Sequence, residues 1–386
     1  MSVEFTEGNR LILLESGARY FPALEQAIRE AQHEVYLESY IFADDPTGRQ
    51  IATALASAAA RGVAVHVLVD GFGAKALFGE LFGELLAAGV RVLVYRPDIS
   101  RWNFRRSRLR RMHRKLAVVD GRVGFAGGIN VIDDMHTPGH KPPRFDYAVR
   151  CEGPVLVRMQ DEAERLWSLV AWVSFRQRWR VQRRSVVDPA PCGHQRAALL
   201  VRDNFRNRSE IEDAYLAAIE GAEEEIMIAV SYFFPGRRFR RALVRAAERG
   251  VRVTLLLQGR VEYRLLHYAS RALYGSLLQA GICIAEYHKS FMHAKVAVVD
   301  RRWATIGSSN IDPFSLLLAR EANLAVDDRR FAQELRESLE RAMTEGATPV
   351  RPRHWRRRPL WNRVVIWLAY GTARALIGLA GYAGRL

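Results

Sequence analysis

Cysteine is scarce in these 386 residues, with three at Cys151, Cys192 and Cys283. That leaves no even set for a disulfide framework and no pair at metal-ligand spacing, which fits a reducing compartment. Lysine is rarer than its charge class suggests, five residues against fifty-three arginines. Long apolar runs are nearly absent, which argues against a polytopic membrane protein. The opening MSVEFTEGNR holds two acids and no apolar stretch, so it does not read as a secretory signal. Acid is in deficit throughout: 42 acidic against 58 basic residues leave a net charge of +16, so a phosphate-bearing partner, nucleic acid or anionic lipid, is expected. The remaining composition, 49% hydrophobic and 26% charged, belongs to a folded globular chain long enough for two domains.

The chain repeats itself. Met112 to Asn130 (MHRKLAVVDGRVGFAGGIN) and Met292 to Asn310 (MHAKVAVVDRRWATIGSSN) answer each other at an offset of 180 residues. Glu34 to Phe42 likewise resembles Glu225 to Phe233, ARGVAVHVLVDG (60–71) resembles ERGVRVTLLLQG (248–259), and AAGVRVLVY (87–95) resembles QAGICIAEY (279–287). Short β-branched runs such as VAVHVLV alternate with helical segments such as Gly48 to Ala60 and Phe239 to Arg249, as in sheets covered by helices on both faces. Both halves read as α/β, and two such units are expected to pack about a pseudo-twofold axis. The expected division is residues 1–186, residues 187–345 and a basic tail, 346–386, with Val187 to Gly193 as linker.

Each repeat carries H-x-K-x4-D-x6-G-[GS]-x-N: His113, Lys115, Asp120, Gly127, Gly128 and Asn130, then His293, Lys295, Asp300, Gly307, Ser308 and Asn310. Residues two apart on a strand share a face, so imidazole and ammonium of each copy point to one place, while Asp120-Gly121 and Asp300-Arg301 sit at a hairpin turn. In so arginine-rich a chain, two lysines at equivalent basic positions would arise about once in a hundred trials, so a compact ammonium is required there rather than a planar fork. A crowded site around phosphate oxygens has that requirement.

The doubled motif resembles the phospholipase D superfamily. Around it, GVRVTLLLQGRVEY (250–263), WATIGSSNIDPFSLLLAREANL (303–324) and FDYAVRCEGP (145–154) are similar to bacterial cardiolipin synthases of the type without an N-terminal membrane anchor. The resemblance covers about residues 5–345 and implies two phospholipase D-like α/β units, each a mixed central sheet flanked by helices, with the active site between them. It further implies metal-free, cofactor-free chemistry in which His113 attacks phosphorus and His293 serves as acid and then base, or the reverse. Lys115, Lys295, Asn130, Asn310 and Ser308 would bind the non-bridging oxygens, Gly128 standing where the other half has Ser308. Glu321, 28 residues after His293, and Asp146, 33 after His113, would orient the imidazoles, and Asp120 and Asp300 would brace the hairpins. The implied activity is phosphatidyl transfer from phosphatidylglycerol to a hydroxyl of a second lipid at the cytoplasmic face of a cell membrane, by a peripheral protein active as a monomer. Rivals are a phospholipase or nuclease using water, and a binding scaffold without catalysis. No nucleic-acid partner is expected, because the apolar tail gains nothing from one.

Three further readings concern the surface. Arg96 to Arg114 holds eight arginines with Trp102 and Phe104, a solvated loop or a contact for anionic headgroups. Residues 166–180 read as a helix on which Trp172, Phe175 and Trp179 share a face, for core or membrane. The tail 351–386 has eight arginines and no acid; Arg363, Arg374 and Arg385 recur every eleven residues, which suits a helix in the membrane interface with Trp361, Trp367, Ile366 and Leu376 toward acyl chains, though spanning or packing remains open. Tyr40 and Tyr232, taken as repeat equivalents, read as packing residues. Asp133, Asp134, His136 and His140 do not read as a metal site, because Pro138 and Gly139 break the helix their spacing would need.

Overall fold

The protein is described by a computed structural model covering residues 3–97, 110–137, 139, 141–176, 179, 190–203, 206–261, 264–352, 355 and 359–377. The first half runs β1 (Thr6–Glu15), α1 (Ser16–Glu30), β2 (Glu34–Ser39), α2 (Pro46–Ala60), β3 (Ala64–Asp70), α3 (Glu80–Ala87), β4 (Arg91–Tyr95), β5 (Lys115–Val119), β6 (Val123–Gly127), β7 (Arg144–Phe145), β8 (Tyr147–Glu152) and α4 (Val155–Val173). The second runs β9 (Gln195–Arg202), α5 (Glu210–Glu220), β10 (Glu225–Val230), α6 (Arg237–Glu248), β11 (Arg252–Gln258), α7 (Arg264–Arg271), α8 (Tyr274–Gln279), β12 (Cys283–Tyr287), β13 (Phe291–Met292), β14 (Lys295–Val299), β15 (Trp303–Gly307), α9 (Pro313–Leu317), β16 (Glu321–Asp327), α10 (Arg329–Gly346), β17 (Ala347–Pro349) and α11 (Leu360–Ile377).

Strands joined through helices, β2-β3-β4 and β10-β11-β12, pair in parallel; those joined by tight turns, β5-β6 and β14-β15, pair antiparallel. Among the described residues one sheet of 15 strands results, ordered β17-β12-β11-β10-β14-β15-β16-β9-β1-β8-β6-β5-β2-β3-β4. Without β17, the order read inward from either edge is the same, as a pseudo-twofold at the β9-β1 seam requires. The two expected units are thus fused edge to edge. The seam is short, Thr6 opposite Ala197 and Asn9 opposite Gln195, and the fully buried Asn9 locks it with bonds to the carbonyls of Thr6 (2.8 Å) and Gln195 (3.1 Å).

The two faces of the sheet are covered differently. Helices α4 and α10 share one face and bury Leu166, Trp167, Phe331 and Leu335 in a core that includes strand residues of both halves, such as Leu116 and Val296. On the other face α1–α3 cover the first half, and α5–α8 with α11 the second, as separate cores. Full burial of each such side chain contributes about 2 kcal/mol, so the shared core fixes the halves against each other.

Three surface expectations change. The helix expected over 166–180 ends at Val173, where Phe175 is left-handed (φ 56°) and the amides of Phe175 and Arg176 close onto Trp172 and Ala171. Trp179 then turns back, its carbonyl accepting from Trp167 Nε1 at 2.7 Å, while Trp172 and Phe175 stay exposed. Arg114, counted with the basic loop, is buried against Glu38 (2.7 Å) because that carboxylate rises from β2 beneath it. Residues 98–109 of that loop, with Trp102 and Phe104, lie outside the described residues, as do Pro138, His140, 187–189 of the linker and Arg385. In the tail, Ala347–Pro349 pairs with β12. Helix α11 then packs against α7, burying Ile366 and placing Ala373 in the second core, and leaves Trp361, Trp367, Leu368 and Leu376 exposed. Ile366 therefore faces protein, not lipid. Among the described residues no helix is long and apolar enough to cross a membrane.

Candidate active site

The motif residues lie where β5 and β14 begin. Asp120 and Gly121 (φ 52° and 61°) turn the first hairpin and Asp300 and Arg301 (φ 50° each) the second, the left-handed pair a two-residue hairpin needs. Asp120 accepts from the amides of Gln32, His33 and Glu34 at 2.8 Å each, tying its hairpin to the turn from α1 into β2. Asp300 does the same for Glu223, Glu224 and Glu225 at 2.8–2.9 Å. Neither carboxylate reaches an imidazole in these contacts.

The imidazoles are oriented across the seam. His113 Nδ1 lies 3.1 Å from both Glu321 oxygens and 3.2 Å from the Ser308 carbonyl; His293 Nδ1 lies 2.7 Å from Asp146 Oδ2. Each carboxylate thus serves the histidine of the other half, rather than that of its own. The backbone explains the exchange. Met112 bridges Arg320, and Phe291-Met292 of β13 pairs with Arg144-Phe145 of β7, so the residue before each histidine runs beside the residue before the opposite acid. The His113 amide accordingly donates to Arg320 O (2.9 Å) and the His293 amide to Phe145 O (2.7 Å). With Nδ1–H engaged by a carboxylate, Nε2 of each ring is the free nitrogen.

Both ammonium groups fold back. Lys115 Nζ donates to His113 O at 2.6 Å and lies 5.4 Å from the Tyr40 ring; Lys295 Nζ donates to His293 O and stands 3.8 Å from Asp146. Burial pushes Lys115 down to about 7 and Asp146 up to about 6. Burial also lowers both imidazoles, His113 against the pull of Glu321 and His293 further, with Lys295 and Lys115 adding to the effect. Burial therefore favours the neutral form of both rings in the free protein, while a bound phosphate anion would favour the protonated form of one.

Asn130 and Asn310 are buried at the same edge. Asn130 Oδ1 accepts from Ile41 N at 3.0 Å, while Asn310 Oδ1 has no partner among the described residues. Ser308 differs from expectation: its hydroxyl donates to Glu321 and accepts from Ala322 N (3.0 Å), so it holds the carboxylate behind His113. Its counterpart Gly128 leaves no room for a side chain, since a Cβ would meet Asp146 Oδ1 at 2.3 Å. Serine accompanies the longer Glu and glycine the shorter Asp. Asp133 and Asp134 cap loops, Asp134 accepting from Gly17 N at 2.6 Å.

The residue missed in the sequence is Tyr40, whose ring lies 4.9 Å from that of His113. Strand register makes its counterpart Ser231, not Tyr232: Glu38 faces Leu116 as Ala229 faces Val296. A tyrosine aligned with a serine inside the repeat was the available signal.

Two matched H-x-K pairs on one sheet, each imidazole backed by the other half's carboxylate, define a phospholipase D-like centre for chemistry at a phosphodiester. The family profile "Cardiolipin synthase, PLD-like domain" matches residues 24–166 and 215–343. The chain is 40% identical over 383 residues to cardiolipin synthase B of Shigella flexneri, and equally to that of Escherichia coli (strain K12), with 99% of this chain and 92% of each relative covered. The solved phosphatidylserine synthase of Haemophilus influenzae Rd KW20 shares the fold, at TM-score 0.71 and 13% identity over 100% of this chain and 97% of that one. This chain belongs to the cardiolipin synthase family of phospholipase D-like proteins.

Proposed function

We propose that the protein makes cardiolipin, moving the phosphatidyl group of one phosphatidylglycerol to a hydroxyl of a second and releasing glycerol. The observation that carries this reading is the pair of cross-oriented imidazoles in a chain 40% identical, nearly end to end, to cardiolipin synthases. In the first step His113 Nε2 forms a bond to phosphorus, the bond to the glycerol oxygen breaks, and His293 Nε2–H protonates that oxygen. In the second, His293 takes the proton of the incoming hydroxyl, whose oxygen bonds phosphorus as the P–N bond breaks. Lys115, Lys295, Asn130 and Asn310 bind the non-bridging oxygens as charge builds there. Ser308, Asp146 and Glu321 are positioning residues.

The protein works peripherally on an anionic membrane, at the cytoplasmic face and as a monomer. Supporting this are the exposed Trp361, Val364, Trp367 and Leu368 of α11 and the net charge of +16. Purified protein on phosphatidylglycerol liposomes in chelator is expected to yield cardiolipin and glycerol. Phosphatidic acid alone would instead mean hydrolysis, and nicking of plasmid DNA a nuclease. His113→Ala and His293→Ala are each expected to abolish turnover, and a denaturing detergent quench at neutral to alkaline pH of wild type on phosphorus-labelled donor to trap phosphohistidine.

A further inference from the structure

Two positions on the strands next to the second motif break the internal symmetry. One is Ser231, where the first half has Tyr40. The other is Gln258, which faces Tyr287 in the sheet as Asp70 faces Tyr95. In the first half both places are filled: Tyr40 lies on His113, and Asp70 accepts from the amides of Phe72 (2.8 Å), Met112 (2.9 Å) and Gly73 (3.3 Å), with Arg111 at 3.7 Å. In the second half the phenol is reduced to a hydroxymethyl group and the carboxylate to a neutral amide. Gln258 is only 7% exposed, yet neither its oxygen nor its nitrogen has a hydrogen-bond partner among the described residues. Burying both ends of an amide unpaired is costly, and such groups mark places where something else binds.

A cavity of about 20 Å³ opens at this point, lined by Ser231, Tyr232, Gln258, His267, Ser270 and Tyr274. That is room for one hydroxyl-sized group. It adjoins the chemistry, because Ser231 donates from its amide (3.1 Å) and hydroxyl (3.3 Å) to the carbonyl of Ala294, the residue after His293. It also lies past the carboxyl ends of β10 and β11, where parallel strands present ligands.

We propose that this cavity is the subsite for one hydroxyl of the glycerol headgroup, which Gln258 holds by a hydrogen bond from its side-chain amide. The inference rests on the transferase reading above. In an in-line displacement the leaving and attacking oxygens lie opposite the nucleophile, on the side of His293, so one pocket beside His293 serves the departing glycerol and then the incoming lipid's glycerol. A polyol fits better than an ammonium headgroup: among the described residues no carboxylate lines the cavity, and Arg260, anchored to His288 O at 2.9 Å, adds positive charge at its wall.

The test is headgroup exchange on phosphatidylglycerol liposomes with labelled glycerol in the medium, hydrolysis to phosphatidic acid being followed in parallel. Gln258→Leu is expected to raise KM for glycerol about tenfold and to lower the ratio of exchange to hydrolysis by a similar factor. The nearly isosteric Gln258→Glu guards against a folding defect and is expected to shift acceptor preference toward ethanolamine. Unchanged KM, ratio and preference in both variants, with melting curves like wild type, would overturn the subsite. Wild-type protein that releases only phosphatidic acid would overturn the transferase reading itself.

Discussion

At the scale of residues, the site depends on which protonation states burial allows. Both imidazoles lie below their ordinary value of 6.5, chiefly through burial, so the acid limb of kcat/KM is expected below pH 6.5. Glu321 raises the His113 value, so Glu321→Gln is expected to move that limb further to acid while lowering kcat by about 10²-fold as orientation is lost. A bound anion raises the imidazole values again. Its binding then takes up a proton, so competitive inhibition by tungstate is expected to strengthen as pH falls from 8 toward 6; inhibition independent of pH would contradict the lowered values.

Among the elements, the two hairpins and the end of α4 carry the sharpest expectations. Asp300→Ala removes three amide partners that join a hairpin to the start of β10, and a loss of about 2 kcal/mol in chemical denaturation is expected. Phe175 is 91% exposed and left-handed, unfavourable on both counts for a phenyl group. Phe175→Gly is therefore expected to stabilise the fold by about 1 kcal/mol in the same measurement, and to weaken liposome flotation if that ring enters the membrane as the exposed α11 side chains are proposed to do. Trp361→Ser with Trp367→Ser is expected to weaken flotation more.

Across the whole molecule, charge and symmetry act together. With a net charge of +16, flotation on anionic vesicles is expected to fall steeply with added salt and to be weak on neutral ones. The doubled motif, the hairpin turns and the order of strands and helices were legible in the sequence because each is local: strand periodicity, left-handed turn pairs and the repeat itself are written within a few dozen residues. The ends of α4, the burial of Arg114 and Ile366, and the place of Tyr40 were not, since each depends on what a neighbouring element presents. The chain order alone determined that there would be two imidazoles, two ammonium groups and two acids. Which acid serves which imidazole was decided only in three dimensions, where the segments leading into each motif pair with strands of the opposite half, and a spacing along one chain carries no information about that crossing.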